Sequence, residues 1–224
     1  MGTVVENAQA MIPGTKLRAS GPLLITHWGM SGPCILRLSS YAARELSEHG
    51  YRMPLAINWM GDRSDEEVRA LLLETMGRQP RKMLTTLPVR WEACPTTTAA
   101  RLEACPTIPQ RLWGYLVEKH LGDRAHAPWG SLNQKELNRL LNGLTNDQYQ
   151  IAGRAPFKDE FVTCGGIDLA SVNPATLESR ERPGLFFAGE VLDIDGITGG
   201  FNFQAAWTTA YVVAKAISHA SLDS

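Results

Sequence analysis

Long apolar runs, targeting signals and paired cysteines are all absent from this chain of 224 residues. No apolar run reaches the ~18–20 residues that a bilayer-spanning helix needs. No charged segment followed by an apolar one opens the chain, as it would in a secretory signal. The four cysteines form no Cys-x-x-Cys pair, so we expect free thiols in a reducing compartment rather than a disulfide framework. The sequence therefore predicts a cytoplasmic protein with no membrane partner.

The chain also lacks an excess of either charge, since 22 Lys and Arg face 23 Asp and Glu, a formal net charge of -1. A non-specific nucleic-acid binder normally carries a basic excess, so we expect no nucleic-acid partner. His-Glu-x-x-His, clustered Cys and His, and a P-loop motif are missing, so we predict no metal site and no P-loop chemistry. Asp193 and Asp195 lack the further oxygen ligands that a metal needs, and we expect solvated or backbone-capping acids there.

The first 60 residues carry strand and helix signals in alternation. GPLLITHW (21–28) is a short apolar run between turn residues, which predicts a strand. Ser31 and Pro33 are typical of a helix start, and Gly50 of its end. YRMPLAINWM (51–60) alternates apolar and polar residues, the pattern of a half-buried strand.

Residues 64–143 predict a helical subdomain. Ser64 with Glu67, and Ser131 with Gln134, have the spacing of capping boxes. Pro109 and Gly122 bound another helical stretch. The segment between the first two helices contains EACPT twice, at 92–96 and 103–107, which we interpret as a local coincidence rather than an internal repeat.

The carboxyl-terminal third has a different composition, with one apolar strand signal and one apolar helix. GLFFAG (184–189) predicts a buried strand. FQAAWTTAYVVAKAIS has few charges on any side, which is typical of a helix packed inside a larger body. We expect Trp207, on that helix, to be a core residue rather than a cofactor contact.

Polar and glycine residues lie between that strand and that helix. Glu190 directly follows the predicted strand, where ligands bind in open α/β sheets. Gly199 and Gly200 precede the helix, where bare backbone and the positive helix end favour an anionic group. Together they suit a polyhydroxylated, partly anionic cofactor. Alternatively, Glu190 is a solvated turn acid and the glycine pair a flexible helix entry capped by Asn202.

Two stretches resemble a known family. FVTCGGIDLASVNPATLESRERPGLFFAGEVLDIDGITGGFNFQAAWTTAYVVAKAI and GPLLITHWGMSGPCILRLSS are similar to signatures of the HI0933-like flavoproteins, also called YhiN-like or BaiN-like, which include aminoacetone oxidases. The resemblance implies an α+β and α/β chain in two domains. Residues 1–155 would be an insert domain, a small β-barrel with the helical subdomain. Residues 156–224 would be the carboxyl-terminal part of a two-dinucleotide-binding-type FAD domain.

The resemblance also implies a cofactor, FAD, and the residues that contact it. Gly189 and Glu190 would lie near the ribityl chain and pyrophosphate. The isoalloxazine would lie near Gly199, Gly200, Phe201, Asn202 and Gln204, with the positive helix end favouring the reduced ring. The glycines at 165–166 would form a close-approach turn in this region, and Cys164 a packed thiol.

The implied activity is electron or hydride transfer between FAD and a small organic substrate, with NAD(P)H or oxygen as the other partner. No catalytic residue is assigned. His27 is one candidate for facing the substrate, whereas Ser31 lies one position short of a nucleophile elbow. A non-catalytic interaction module that keeps the insert fold is the alternative.

The phosphate-binding Gly-x-Gly-x-x-Gly of full-length family members does not occur in this sequence. We therefore expect the amino-terminal FAD-binding segment to be absent, FAD affinity to be weak and the chain to be inactive alone. Apolar surface left by the absent segment would favour self-association.

Overall fold

The computed structural model describes residues 2–88, 108–155, 162–197 and 199–220. The chain forms two compact units. One contains Met1–Leu38 and His49–Ala155, and the other contains Ser39–Glu48 and Pro156–Ser224. Both EACPT segments lie outside the described residues. Of the cysteines, Cys34 and Cys164 are described, and both are free thiols.

An antiparallel five-stranded sheet, in the order β3-β2-β1-β4-β5, is the centre of the first unit. Its strands are β1 (Thr3–Met11), β2 (Arg18–Ile25), β3 (Met30–Ser31), β4 (Pro54–Asn58) and β5 (Asp147–Gln150). The strand predicted over 21–28 is confirmed by β2. A register shift between Val5 and Ala8 places a bulge in β1, a feature that increases local twist.

Ser31 is not the helix cap that the sequence predicted, because it lies in β3 and pairs with Leu24 of β2. Helix α1 (Pro33–Tyr41) begins after Gly32, whose carbonyl accepts from the Leu36 N–H. Gly32 has φ +91, and a Cβ there would lie 2.9 Å from the Pro22 oxygen. The tight approach of β2 and β3 to the helix start therefore requires glycine at this position.

Strand β4 is buried on both faces, which corrects the prediction of a half-buried strand. Leu55, Ala56 and Ile57 are all buried, as are Asn58 and Trp59. The strand lies between β1 and β5, and the Trp59 N–H donates to the carbonyl of Leu144 in helix α5 (Gln134–Thr145). The face that the alternation assigned to solvent, which carries Ala56 and Asn58, is therefore buried as well.

Three further helices confirm the helical subdomain. They are α3 (Asp65–Arg78), α4 (Gln110–Leu121) and α5. The Ser64–Glu67 capping box is present, and Gly122 follows the end of α4. The box predicted at Ser131 and Gln134 is wrong: Asn133 caps α5 with Glu136. Ser131 instead lies in a 3₁₀ turn, where Arg124 donates to its hydroxyl.

The second unit has helices α2 (Ala43–Glu48) and α6 (Gly200–Ala220). Its other described residues form turns and isolated bridges. Its small core contains Val172, Leu177 and Leu192, with Phe187 and Val213 among the partly buried residues against it. No helix in the described ranges is both long and apolar enough to cross a bilayer.

Two predictions for the second unit are wrong in this chain. Residues 184–189 form no strand: Phe186 makes one isolated bridge with Glu178, and Leu185 is 44% exposed. A buried strand needs neighbouring strands for its peptide groups, and the described residues provide none on either side. Helix α6 is likewise exposed along one side, and Trp207 is 69% exposed rather than a core residue.

Candidate functional site: the start of the last helix

The amino end of α6 is open backbone. Gly199 has φ +139, and Gly200 is the first helical residue. Apart from chain neighbours and the backbone of α6 itself, no heavy atom of the described residues lies within 4 Å of a Cβ built at either glycine. The first turn of α6 contains no acidic residue, so no carboxylate there offsets the positive end of the helix. The helix start can therefore accept an electron-rich group in direct contact with its backbone.

The side chains that follow this glycine pair have different surroundings. Phe201 is 68% exposed. Asn202 is engaged by the preceding loop: its Oδ1 accepts from the Gly196 N–H at 2.8 Å, and its Nδ2 donates to the Gly196 carbonyl at 3.3 Å. Gln204 donates to the hydroxyl of Thr208 in the next turn. Asn202 therefore holds the loop against α6, a role that the N-cap alternative did not foresee.

Gly189 and Glu190 lie in a 3₁₀ turn that packs beside α6, farther from its start. Gly189 has φ +77, its N–H donates to the Thr209 hydroxyl at 2.9 Å, and a Cβ there would lie 3.9 Å from that of Ala206. With a rise of 1.5 Å per residue, Ala206 is about 9 Å along the axis from Gly200. The Gly189–Glu190 turn and the Gly199–Gly200 pair are thus both next to α6 but at different points along its axis. Glu190 is exposed, and no described hydrogen bond joins it to the first turn of α6.

The predicted close-approach turn at residues 165–166 is present. A Cβ on Gly166 would lie 2.6 Å from the Val191 oxygen and 2.8 Å from the Asp193 nitrogen. Ile167 and Leu192 form a parallel bridge, in which the Ile167 N–H donates to the Val191 carbonyl. Only glycine permits this approach, which fixes the turn containing Glu190 against the rest of the unit.

Cys164 is exposed, which corrects the prediction of a packed thiol. Partial desolvation and the nearby Asp195 raise its pKa, against the opposing effect of Arg44. The thiol is therefore protonated at neutral pH and is no activated nucleophile. Arg44 also forms a 2.7 Å ion pair with Asp193, so Asp193 is neither a solvated nor a backbone-capping acid.

The remaining candidates are isolated. His27 is exposed in the turn between β2 and β3. Ser31 lies within the sheet, as described above. Across the part of the chain that the structure describes, no three His, Cys, Asp or Glu side chains are grouped so that they could hold a metal ion.

A polar cluster around Asp147, in the first unit, was not anticipated from the sequence. The Asp147 side chain is fully buried and accepts four hydrogen bonds, from Trp59, Lys119, His120 and Tyr149, over 2.6–3.1 Å. Burial opposes ionisation of the carboxyl, but these hydrogen bonds together lower the pKa of Asp147 to about 2. Burial and the neighbouring carboxylate raise the pKa of Tyr149.

The Asp147 cluster is a structural network rather than a second reaction centre. Its carboxylate has no exposed surface for a substrate, and all its donors come from the residue after β4, from α4 and from β5. Lys119 also lies 4.0 Å from the centroid of the Tyr149 ring, a cation–π contact. No sequence spacing could have indicated this cluster, since Trp59 and Asp147 are 88 residues apart.

Comparison with known proteins gives relatives for both units. Ribosomal RNA dihydrouridine synthase of Escherichia coli (strain K12) is 31% identical over 215 residues, 96% of this chain and 46% of that protein. The Haemophilus influenzae protein of the same name is 29% identical over 197 residues, 88% of this chain and 42% of that protein.

A third relative is named for a different activity. The 3-dehydro-bile acid delta(4,6)-reductase of Clostridium scindens is 30% identical over 198 residues, 88% of this chain and 44% of that protein. The chain thus spans about half the length of the curated relatives that it matches.

Two family models match the chain in succession. Residues 1–93 match the HI0933-like protein barrel and H2TH domain, and residues 140–216 match the HI0933-like protein Rossmann domain. These matches confirm the predicted combination of a barrel-like, helix-containing first domain and a Rossmann-like carboxyl-terminal region. Because both models describe the same family and together span most of the sequence, the chain belongs to the HI0933-like family.

Proposed function

We propose that this chain is part of an FAD-dependent oxidoreductase, in which residues 1–155 form the insert domain and residues 156–224 the carboxyl-terminal part of the flavin domain. The observation that carries the proposal is the open helix start at Gly199 and Gly200, where a Cβ built on either glycine would meet no atom of the other described segments within 4 Å. A helix end without a neutralising acid suits the edge of a flavin ring that becomes negative on reduction.

The described residues fit FAD along the length of α6. Gly199, Gly200 and Phe201 would border the isoalloxazine, and Gly189 and Glu190 would lie beside the sugar chain about two turns farther on. A carboxylate at Glu190 would accept from hydroxyl groups there. Asn202 and Gln204, which are engaged within the protein, would position the helix start. FAD, when bound, supplies the ring that carries the electrons.

The names of the relatives support reduction of a carbon–carbon double bond as the reaction class. Dihydrouridine is uridine with two hydrogens added across a ring double bond, and a delta(4,6)-reductase acts on double bonds of a steroid. We therefore favour reduction of a conjugated double bond in an organic substrate, with NAD(P)H as electron donor. A substrate assay distinguishes a small molecule, which the family resemblance implies, from a uridine in RNA.

The test uses the polypeptide that carries residues 1–224 in its native host. Purified, it should be yellow and absorb near ~450 nm, as oxidised flavins do. Glu190→Ala should reduce FAD occupancy, whereas Glu181→Ala, a change of another exposed acid in the same unit, should not. Gly200→Ala should also lose FAD without loss of fold, because alanine favours a helix more than glycine does.

Three outcomes would contradict the proposal. A colourless native protein that rejects added FAD would favour the alternative, a non-catalytic interaction module. Undiminished flavin in Glu190→Ala would remove the role assigned to that carboxylate. Oxidation of NAD(P)H that neither a conjugated enone nor uridine-containing RNA stimulates would exclude the proposed reaction class while leaving FAD binding intact.

A further inference from the structure

Two segments of the helical subdomain, residues 78–88 and 124–135, contain cations but no Asp or Glu. Antiparallel pairing brings the two segments together in the first unit. Met83 forms a bridge with Pro128, and the Trp129 N–H donates to the Lys82 carbonyl over 2.9 Å. The cations therefore lie on neighbouring stretches of backbone, and we call this region the paired basic surface. Its exposed cations are Arg78, Arg81, Lys82, Arg124 and Lys135.

Among the described residues, three of these cations have no acidic partner. Arg78 and Arg124 form ion pairs with acids of α3 and α5. Arg81, Lys82 and Lys135 form no ion pair in the part of the chain that the structure describes. Positive charge that no protein group offsets produces a local potential that attracts anions.

A group of acids lies at the opposite end of α3. Asp62 and residues 65–67 are acidic, whereas Arg78 is the last residue of the helix, about 20 Å along the axis from the first. At physiological ionic strength, charges are screened over ~8 Å, so these acids do not cancel the field beside Arg78. Asp123, which adjoins the second segment, offsets one of the three unpaired charges at most. The net charge of -1, from which we expected no nucleic-acid partner, is therefore an average over regions of opposite sign.

Buried contacts hold the backbone beneath this surface. Trp129 is fully buried and stacks on Trp113, with the ring centroids 5.9 Å apart. The Gly130 N–H donates to the Pro80 carbonyl over 2.9 Å, and a Cβ on Gly130 would lie 2.9 Å from that of Pro80. The cations are thus carried by a fixed backbone, which reduces the conformational entropy that a binding partner must offset.

We propose that the paired basic surface binds the phosphate backbone of RNA. Exposed Lys and Arg side chains attract phosphate by charge, and the Arg guanidinium can donate two parallel hydrogen bonds to it. RNA is the polyanion that we favour because the reaction class proposed above includes a uridine in RNA as substrate. The choice of RNA therefore rests on the proposed function, whereas the charge distribution of the surface does not involve FAD.

Fluorescence anisotropy of a labelled, single-stranded, uridine-containing RNA tests the proposal on the polypeptide that carries residues 1–224 in its native host. We expect a dissociation constant of about 1–100 µM at physiological salt, the range of sequence-independent binding. Each phosphate neutralised in a single strand contributes about -0.7 to the slope of the logarithm of the binding constant against that of the salt concentration. Three cations therefore predict a slope of about -2.

Single charge reversals locate the contact. Arg81→Glu and Lys82→Glu should each raise the dissociation constant about 10-fold, because each loses one phosphate contact and adds a repulsion. Lys82→Gln should reduce the steepness of the salt slope by about 0.7. The matched control is Lys16→Glu, an equal change of net charge at an exposed lysine between β1 and β2, and it should raise the constant less than about 2-fold.

Three outcomes would overturn the proposal. The first is no RNA binding at about 100 µM protein in low salt. The second is an equal effect of Lys82→Glu and Lys16→Glu in variants that are folded by circular dichroism, because overall charge would then govern binding. The third is binding to phosphatidylglycerol vesicles without binding to RNA, which would assign the surface to a membrane.

The result for RNA is separable from the result for FAD. A yellow protein that does not bind RNA would contradict the paired basic surface as an RNA site and leave the flavin proposal intact. A colourless protein that binds RNA, with the loss expected for Arg81→Glu and Lys82→Glu, would contradict the flavin proposal alone.

Discussion

The indole N–H of Trp59 donates to the carboxylate of Asp147 over 3.0 Å, and neither side chain has significant exposure. Trp59 directly follows β4 and Asp147 begins β5, so this hydrogen bond joins the ends of two adjacent strands. The T-shaped contact of Trp59 with Tyr149, at 6.3 Å between ring centroids, lies beside it. The free energy of unfolding of the first unit should therefore depend strongly on the Asp147 carboxylate.

Asp147→Asn should lower the free energy of unfolding by about 2–4 kcal/mol, because the ion pair with Lys119 loses its buried partner and the charge-assisted hydrogen bonds weaken. Urea denaturation followed by tryptophan fluorescence measures this change. Gln148→Ala is the matched control, since the Gln148 side chain is exposed on the same strand. A difference of under about 0.5 kcal/mol between the two variants would contradict the assigned role.

Acid should destabilise the first unit through the same carboxyl. The pKa of Asp147 is about 2 in the folded chain, against an ordinary value of 3.8. Because the pKa of Asp147 is lower in the folded chain, its ionised carboxylate stabilises the fold fully above about pH 4. This stabilisation, roughly 2 kcal/mol in total, is lost as the pH falls toward 2. Urea midpoints between pH 5 and pH 2 measure the loss. Asp147→Asn should show a smaller decline, and an equal decline in both proteins would assign the effect to other groups.

Two helical glycines should respond to alanine with opposite signs. A Cβ on Gly143, in α5, would collide with the ring of His120, which bonds to Asp147. Gly143→Ala should therefore lower the free energy of unfolding by about 1–3 kcal/mol. Gly114, in α4, has no atom within 4 Å of such a Cβ, so Gly114→Ala should raise it by about 0.5–1 kcal/mol. Changes of the same sign, measured by thermal unfolding, would contradict the packing described for His120.

Local signals predicted much of the first unit because the interactions they report lie within a few residues. The Ser64–Glu67 capping box joins residues three apart, and its geometry depends on those residues alone. The same spacing gave a wrong cap for α5, because both Ser131 and Asn133 have side chains that can cap a helix. Arg124 and the carbonyl of Pro128, seven and three residues away, engage the Ser131 hydroxyl, and Asn133 caps the helix instead.

The candidate flavin site was predicted in part. The sequence located the open glycines before α6, and the family resemblance supplied the residues around them. It did not indicate that the Asn202 amide holds the Gly196 loop or that the Thr209 hydroxyl accepts from the Gly189 N–H. These hydrogen bonds depend on how the turns fold back on α6, which no residue spacing encodes. The roles toward FAD stay predictions for all seven residues: Gly189, Glu190, Gly199, Gly200, Phe201, Asn202 and Gln204.

By itself, the sequence determined the family, the strand and helix signals of the first unit and the glycines that need positive φ or close approach. The tertiary structure decided which apolar surfaces are covered. Residues 184–189 and helix α6 have the composition of buried elements, yet Leu185 and Trp207 are exposed. Composition records only the tendency of a side chain to leave water, whereas burial also requires a neighbouring surface to cover it.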